Sequence, residues 1–285
     1  MAVAQPRLSI GHTCITWADP VAENGIKYIS ELGFKNIEIF AWVLKAFYDS
    51  GRADICKQYG IPLISSYYSV DIANPDMRGA EMAKLAEWTD ILVRMGGKYA
   101  TFGGNFVDRR AFSFKEDKKY IVDFVNETAK LLYSKGIRLN FHPHTGTPIE
   151  TTEEIESFFD AVNTDYVGFA PDIGQLQKGG CDPMRFVKDY FSILKLVHLK
   201  DYGGNLEFDA DGKEIDTTGY ACYSPLGQGV VDIEGILDYL ENSTFNGPVM
   251  VELDCSDSMP LTAEQAVKIN RDYLEKLGYV FIKQF

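Results

Sequence analysis

One phrase recurs along the chain: an amphipathic helical stretch, a glycine, a few polar residues, then a short apolar run rich in β-formers. It occurs at Leu32-Gly33 before Asn36–Phe40 and at Tyr59-Gly60 before Pro62–Ser66. It returns at Gly96-Gly97 before Tyr99–Phe102 and at Lys135-Gly136 before Arg138–Phe141. Glycine just past a helix supplies a left-handed cap, and the apolar run that follows suits a parallel strand covered on both faces. Between these runs Ile121, Phe124, Val125 and Thr128 fall at i, i+3, i+4 and i+7, and Leu85, Trp88, Leu92 and Met95 form a second core-facing stripe. Strands are expected near 8–13, 36–40, 61–67, 98–103, 137–143, 166–171, 193–199 and 248–253, each followed by helical sequence. Thr262-x-x-Gln265 opens the last helix as a capping box, with its end near Leu277. Alternating β/α units without a linker predict a single domain over residues 1–285, a closed (β/α)8 barrel rather than a doubly wound open sheet. Asp201–Val231 reads as an insertion after the seventh strand, with Asp209-Ala210-Asp211-Gly212 as a hairpin turn that departs from the full EF-hand calcium loop.

Composition narrows the partners. The 285 residues are 46% hydrophobic and 24% charged, an ordinary globular balance. Against 41 Asp and Glu stand 28 Lys and Arg, a net charge of −13, which opposes binding to a phosphate backbone. No apolar run approaches the ~20 residues of a membrane span. Met1–Gly11 lacks the cationic start and apolar core of a secretory signal. Cys14, Cys56, Cys181, Cys222 and Cys255 are odd in number, widely spaced and without C-x-x-C, so free thiols in a reducing cytoplasm are expected. The triplets at Asn126 and Asn242 are then chance occurrences of the glycosylation pattern.

In a (β/α)8 barrel the reactive groups stand at the C-terminal strand ends. Here strand five ends in His142-Pro143-His144 and continues to Glu150, strand six in Pro171-Asp172, strand seven in His198-Leu199-Lys200-Asp201 and strand eight in Glu252-Leu253-Asp254. A lone histidine or capping aspartate is commonplace at such a position. Carboxylate, imidazole and carboxylate on successive strands of one rim instead point to a divalent metal with N and O ligands. Pro143 keeps its neighbours extended, which sets His142 and His144 on one side. Lys200, two residues past His198, shares its face and can steady a developing oxyanion. His12, Glu38, Asn105 and Gln175 sit at plausible substrate positions, as do Tyr67 and Tyr68. Trp17 and Trp42 are candidates for stacking on a sugar or an aromatic aglycone. No G-x-G-x-x-G opens a helix and Phe102-Gly103-Gly104-Asn105 is no Walker loop, so nucleotide binding has no support.

These strand ends, with Pro225-Leu226-Gly227-Gln228-Gly229, resemble the xylose-isomerase-like barrels of the sugar phosphate isomerase/epimerase superfamily. That group includes ketose 3-epimerases, inosose dehydratases, hydroxypyruvate isomerases and endonuclease IV. The His-x-His-x-Gly-Thr-x-x-Glu pattern is most similar to inosose dehydratases and to the large subunit of C-glycoside deglycosidases. The resemblance implies one divalent metal, Mn²⁺ foremost with Co²⁺, Zn²⁺, Fe²⁺ or Mg²⁺ as alternatives, held by Glu, Asp, His and Glu. Asp172, His198 and Glu252 match the last three positions. For the first, Glu150 is favoured, with His142 as the alternative because it occupies the strand-five place where epimerases carry glutamate.

With Glu150 as ligand, His142, His144 and Lys200 form the catalytic set. The implied chemistry is proton abstraction next to the carbonyl of an unphosphorylated keto-sugar or keto-polyol, a histidine serving as base near neutral pH. Elimination follows, either inosose-type dehydration or loss of a carbon-linked aglycone from a 3-keto glycoside. Histidine in place of the strand-five glutamate breaks the two-carboxylate symmetry of a reversible ketose 3-epimerase or sugar isomerase, which remains the alternative. A non-catalytic sugar-binding subunit is the third reading, and DNA repair is disfavoured by the acidic chain. The resemblance also implies a homo-oligomer, or a hetero-oligomer with a small second subunit.

Overall fold

The computed structural model describes residues 6–283. Eight parallel strands follow one another around a curled sheet: β1 (Ser9–Thr13), β2 (Ile37–Phe40), β3 (Leu63–Val70), β4 (Tyr99–Gly104), β5 (Arg138–Phe141), β6 (Val167–Phe169), β7 (Val197–Leu199) and β8 (Pro248–Val251). β1 pairs with both β2 and β8, and β8 pairs with β7. The ring closes between β6 and β7 through single bridges, Phe169 to Leu194 and Asp172 to His198. Backbone bonds from Lys195 N to Phe169 O and from His198 N to Pro171 O, both 2.9 Å, complete that seam. Closure removes the open-sheet alternative.

Local signals account for most of the frame. The glycines that begin the recurring phrases, Gly33, Gly60, Gly96 and Gly136, have φ from +68° to +94°, the region an L side chain avoids. The stripes on Arg78–Met95 and Phe114–Ser134 are buried as expected. Thr262 and Gln265 form the reciprocal capping box of the helix Ala263–Lys276, and Thr151 with Glu154 forms another ahead of Thr152–Phe159. Strands five and seven are shorter than the pattern suggests. β5 stops at Phe141, just before the histidine pair and Pro143, whose missing N–H cannot extend a ladder. The seventh run begins with a 3-10 turn at Phe191–Ile193.

The insertion forms two small antiparallel ladders, Asp201–Tyr202 with Tyr223–Ser224 and Glu207–Phe208 with Glu214–Ile215. The second turns through Asp209–Gly212 as expected, with Gly212 at φ +78°. No helix among the described residues is long and apolar enough to cross a membrane. All five cysteines are free thiols.

Candidate metal centre and active-site cavity

Strand alternation decides which side chains enter the barrel. Ile37 and Ile39 pack into the core shared with the helices, so Glu38 between them faces inward. Its Oε2 accepts hydrogen bonds from Ser65 Oγ on β3 and from Thr101 Oγ1 on β4, the latter at 2.7 Å. Its Oε1 stands 2.9 Å from Nε2 of His198. Across the same ring, Nδ1 stands 2.9 Å from Oε2 of Glu252. Both ring nitrogens are buried and neither meets hydrogen-bond geometry with a partner. Lys200 Nζ, fully buried, lies 2.8 Å from Glu252, 2.7 Å from Asp254 and 3.5 Å from Asp172.

Asp172 divides its two oxygens between structure and chemistry. Oδ1 accepts from the N–H groups of Gly174 and Gln175 at 2.8 and 3.0 Å and caps the short helix Ile173–Lys178. Oδ2 is buried without a hydrogen-bond partner. His142 Nδ1 donates to Ala170 O at 3.1 Å, which leaves the lone pair on Nε2. One ligand atom from each of His142, Asp172 and His198 lies within 4.8 Å of the others, and the same holds for Glu38, His198 and Glu252.

The electrostatics follow from this crowding. Burial pulls His142 well below its ordinary pKa, and His198 and His144 add to the effect. Burial raises Asp172 to about 6 against the pull of Lys200. Burial also works against the charged forms of His198, Lys200 and Glu252, but opposite charges outweigh it. Glu38 and Glu252 hold His198 well above its usual value, and Asp254, Glu252 and Asp172 do the same for Lys200. Lys200 and His198 hold Glu252 well below the carboxylate range. The carboxylates of Glu38, Asp172, Glu252 and Asp254 thus outnumber the cationic partners that face them, and uncompensated charge in such a place is costly. Buried oxygen and imidazole donors without partners, together with excess negative charge, fit a divalent cation.

Glu150, expected as the first ligand, is not brought to this cluster. Its Oε2 accepts from Gly146 N and its Oε1 lies 3.3 Å from Arg109 Nε, which places it in a rim ion pair that Glu154 shares. The physical reason is the capping box that starts at Thr151: the chain has already turned into its next helix. His142, the alternative, stands beside Asp172 and His198. Glu150→Gln is therefore expected to keep the wild-type metal content by elemental analysis and to lose about 1 kcal/mol of stability. Loss of metal in that variant would restore Glu150 to the ligand set.

His144 has a defined tautomer. Nδ1 lies 2.7 Å from Thr145 O, an acceptor only, so Nδ1 carries the proton. Gln175 Oε1 accepts from Thr145 N and Oγ1, which orients the amide so that its Nε2 donates to His144 Nε2 at 2.7 Å. Burial lowers His144 to about 4, so the ring is neutral at physiological pH. Gln175, expected at substrate, thus lines the cavity while serving the histidine.

Of the remaining expectations, Tyr67 and Trp42 line the cavity, and Phe40 stacks on Trp42 at 4.3 Å. His12 faces the helix layer instead, edge-on to Phe34 at 5.1 Å, because its neighbour Gly11 takes the inward position against Met250. Asn105 accepts from Ser69 Oγ at 2.7 Å and is not part of the cavity wall. Tyr68 packs against Trp88, and Trp17 donates to Glu264 on the outer helix. Glu38 meets His198 rather than the open cavity.

The cavity, about 1260 Å³, opens at the C-terminal strand ends and is roofed in part by the insertion. Two aspartates fix that roof: Asp201, read in the sequence only as part of the strand-seven end, and Asp216, which did not stand out. Asp201 accepts the N–H groups of Tyr202, Gly227, Gly229 and Val231 at 2.9 to 3.1 Å. The Pro225–Gly229 motif thereby has a structural role, since a Cβ at Gly229 would collide with Asp201 and with Tyr202 O. Asp216 gathers the N–H groups of Thr218, Gly219, Ala221 and Cys222 at 2.9 to 3.1 Å. Those backbone bonds outweigh the opposing effect of its partial burial and hold its carboxyl well below the ordinary range. The available signal was a carboxylate followed by glycines at loop spacing.

Residues 26–277 match the xylose isomerase-like TIM barrel family, and the chain belongs to it. Among curated relatives, inosose dehydratase 2 of Bacillus cereus is 28% identical over 176 residues, 61% of this chain and 59% of that protein. The match thus spans less than two thirds of that relative's length. Inosose dehydratase of Geobacillus kaustophilus (strain HTA426) is 26% identical over 235 residues, 77% of this chain and 76% of the relative. Among solved structures, the IOLI protein with a bound zinc atom superposes with a TM-score of 0.74 at 20% identity, covering 96% of this chain and 99% of its own. The probable 3-DHS dehydratase AsbF from Bacillus anthracis gives 0.73 at 13%, covering 94% and 99%. These two likenesses concern the fold.

Proposed function

We propose that the chain is a divalent-metal-dependent enzyme acting on an unphosphorylated keto-sugar or keto-polyol, removing the proton next to the carbonyl and then eliminating a group. Two buried triads that share His198, namely His142–Asp172–His198 and Glu38–His198–Glu252, stand beside a cavity lined by His142, Glu252 and neutral His144, and they carry this reading. The two curated relatives are named for a dehydration, which supports a lyase. His142, Asp172, His198 and Glu252 would hold the metal, with Mn²⁺ the first candidate and Co²⁺, Zn²⁺, Fe²⁺ and Mg²⁺ behind it. A metal so held would supply Lewis-acid polarisation of a carbonyl oxygen, which would acidify the neighbouring C–H.

The protein's own groups do the rest. Glu38, fixed by Ser65 and Thr101, faces Nε2 of His198 and leaves Nδ1 on the side of Glu252. His144 takes the proton on Nε2, with Gln175 withdrawing its hydrogen bond as the substrate enters. Lys200 keeps Glu252, Asp254 and Asp172 together and steadies negative charge nearby. The cavity holds a small polyhydroxylated molecule with room to spare, and the free thiols support a cytoplasmic setting.

The test is incubation of the Mn²⁺-loaded chain with an inosose, and separately with a 3-keto glycoside, in D₂O. Deuterium uptake coupled to loss of water or aglycone is expected. Uptake without elimination would move the assignment to an epimerase. His144→Ala is expected to keep its metal and to lose turnover by about 10²- to 10⁴-fold, as for removal of a general base.

A further inference from the structure

Tyr223 belongs to none of the roles above, yet the insertion is built to hold it over the site. Its side chain is 3% exposed and lines the cavity, and its hydroxyl has no hydrogen-bond partner. Thr145 is close by, with its hydroxyl donating to Gln175 Oε1 at 2.7 Å, but it does not meet hydrogen-bond geometry with the phenol. The ring sits 4.2 Å from Lys200 Nζ in a cation–π contact, which fixes its face toward the carboxylate cluster. Pairing of Tyr223 with Tyr202 and of Ser224 with Asp201 sets its position along the chain.

The two residues before it, Ala221 and Cys222, have φ of +54° and +70°, the only non-glycine residues in that region among those described. Such a conformation is unfavourable for an L side chain and persists only where the surroundings impose it. Here Asp216 imposes it, accepting both N–H groups at 3.0 and 2.9 Å. A buried phenol without a partner, on a residue that lines the cavity, leaves a donor for a ligand oxygen to satisfy. An apolar phenylalanine would fill the same space without leaving a polar atom unpaired.

We propose that Tyr223 is a substrate-contacting residue whose hydroxyl donates a hydrogen bond to a ring hydroxyl or carbonyl oxygen of the polyhydroxylated ligand, with Asp216 as its positioning residue. The assignment rests on the proposed function. Burial keeps the phenol well above its usual pKa, which suits a donor.

Y223F keeps the ring and the Lys200 contact and removes only the hydroxyl. Binding of an inosose to the Mn²⁺-loaded wild type and to Y223F is measured by calorimetry, with melting temperature and metal content as controls. An affinity loss of about 5- to 20-fold is expected, the worth of one neutral hydrogen bond at a desolvated site. In a series of mono-deoxy inososes, one member is expected to bind both proteins equally, which identifies the contacted oxygen. D216N is expected to weaken binding in the wild-type background and to add little in Y223F, a coupling that a purely structural aspartate would not produce. Equal inosose affinities for wild type and Y223F would overturn the role of Tyr223 while leaving the proposed function intact. Binding of neither an inosose nor a 3-keto glycoside by the wild type would overturn both.

Discussion

Glu252→Gln is expected to bind divalent metal at least about 100-fold more weakly than the wild type and to lose turnover in proportion at limiting metal. Outer partners of metal ligands alone are worth about 10- to 100-fold in affinity, and Glu252 would be a ligand. The variant keeps the shape of the side chain and removes a charge that faces both His198 at 2.9 Å and Lys200 at 2.8 Å. Its carboxyl is held well below the ordinary range once those cations outweigh burial, so the wild-type group is ionised at neutral pH. Lys200 still has Asp254 at 2.7 Å, so the fold survives and the measurement reports the centre itself. Elemental analysis after dialysis, with activity titrated against added Mn²⁺, is the check. Wild-type metal content with full turnover would remove Glu252 from the centre.

Asp201→Ala is expected to lower stability by about 3 kcal/mol, or roughly 6–12 °C in melting temperature for a domain of this size. Four backbone N–H groups converge on this one carboxylate, and alanine leaves them without an acceptor. Gly227 is exposed and recovers a bond from water, whereas Tyr202 and Val231 are buried and do not. Amide exchange should therefore quicken selectively at Tyr202, Gly229 and Val231 while the barrel strands stay protected. Uniform loss of protection would mean that Asp201 supports the barrel rather than the insertion.

The frame was readable because its signals are local. Glycine caps, capping boxes and helical stripes each depend on a few neighbouring residues, and the strand ends follow once the strands are counted. Asp172, His198 and Glu252 fall together because the barrel brings successive strand ends to one rim. What the sequence could not resolve depended on side-chain direction across distant elements. Whether His12 faces in or out is decided by Gly11 lying against Met250, a contact between residues far apart in the chain. Glu150 was drawn to the metal by its motif, but Arg109, 41 positions upstream, holds it at the rim. The roles of Asp201 and Asp216 lie in backbone N–H groups, for which a carboxylate followed by glycines is the one local sign. Tyr223 stands out only once its neighbours are known.

The two aspartates also make the insertion a self-braced roof that rests on the barrel. Asp201 closes the base of the insertion with bonds that lie within residues 201–231. The segment is also tied to the barrel, through Leu226 N to Asn270 Oδ1 at 2.8 Å, Ser256 Oγ to Gly219 O at 2.7 Å and the Lys178–Glu214 ion pair. The floor comes from the barrel strands, with His142, Asp172, His198 and Glu252 at or just past their ends. Substitutions in the roof would then reach the open side of the cavity first, and the charged cluster below it chiefly through Tyr223 and Lys200.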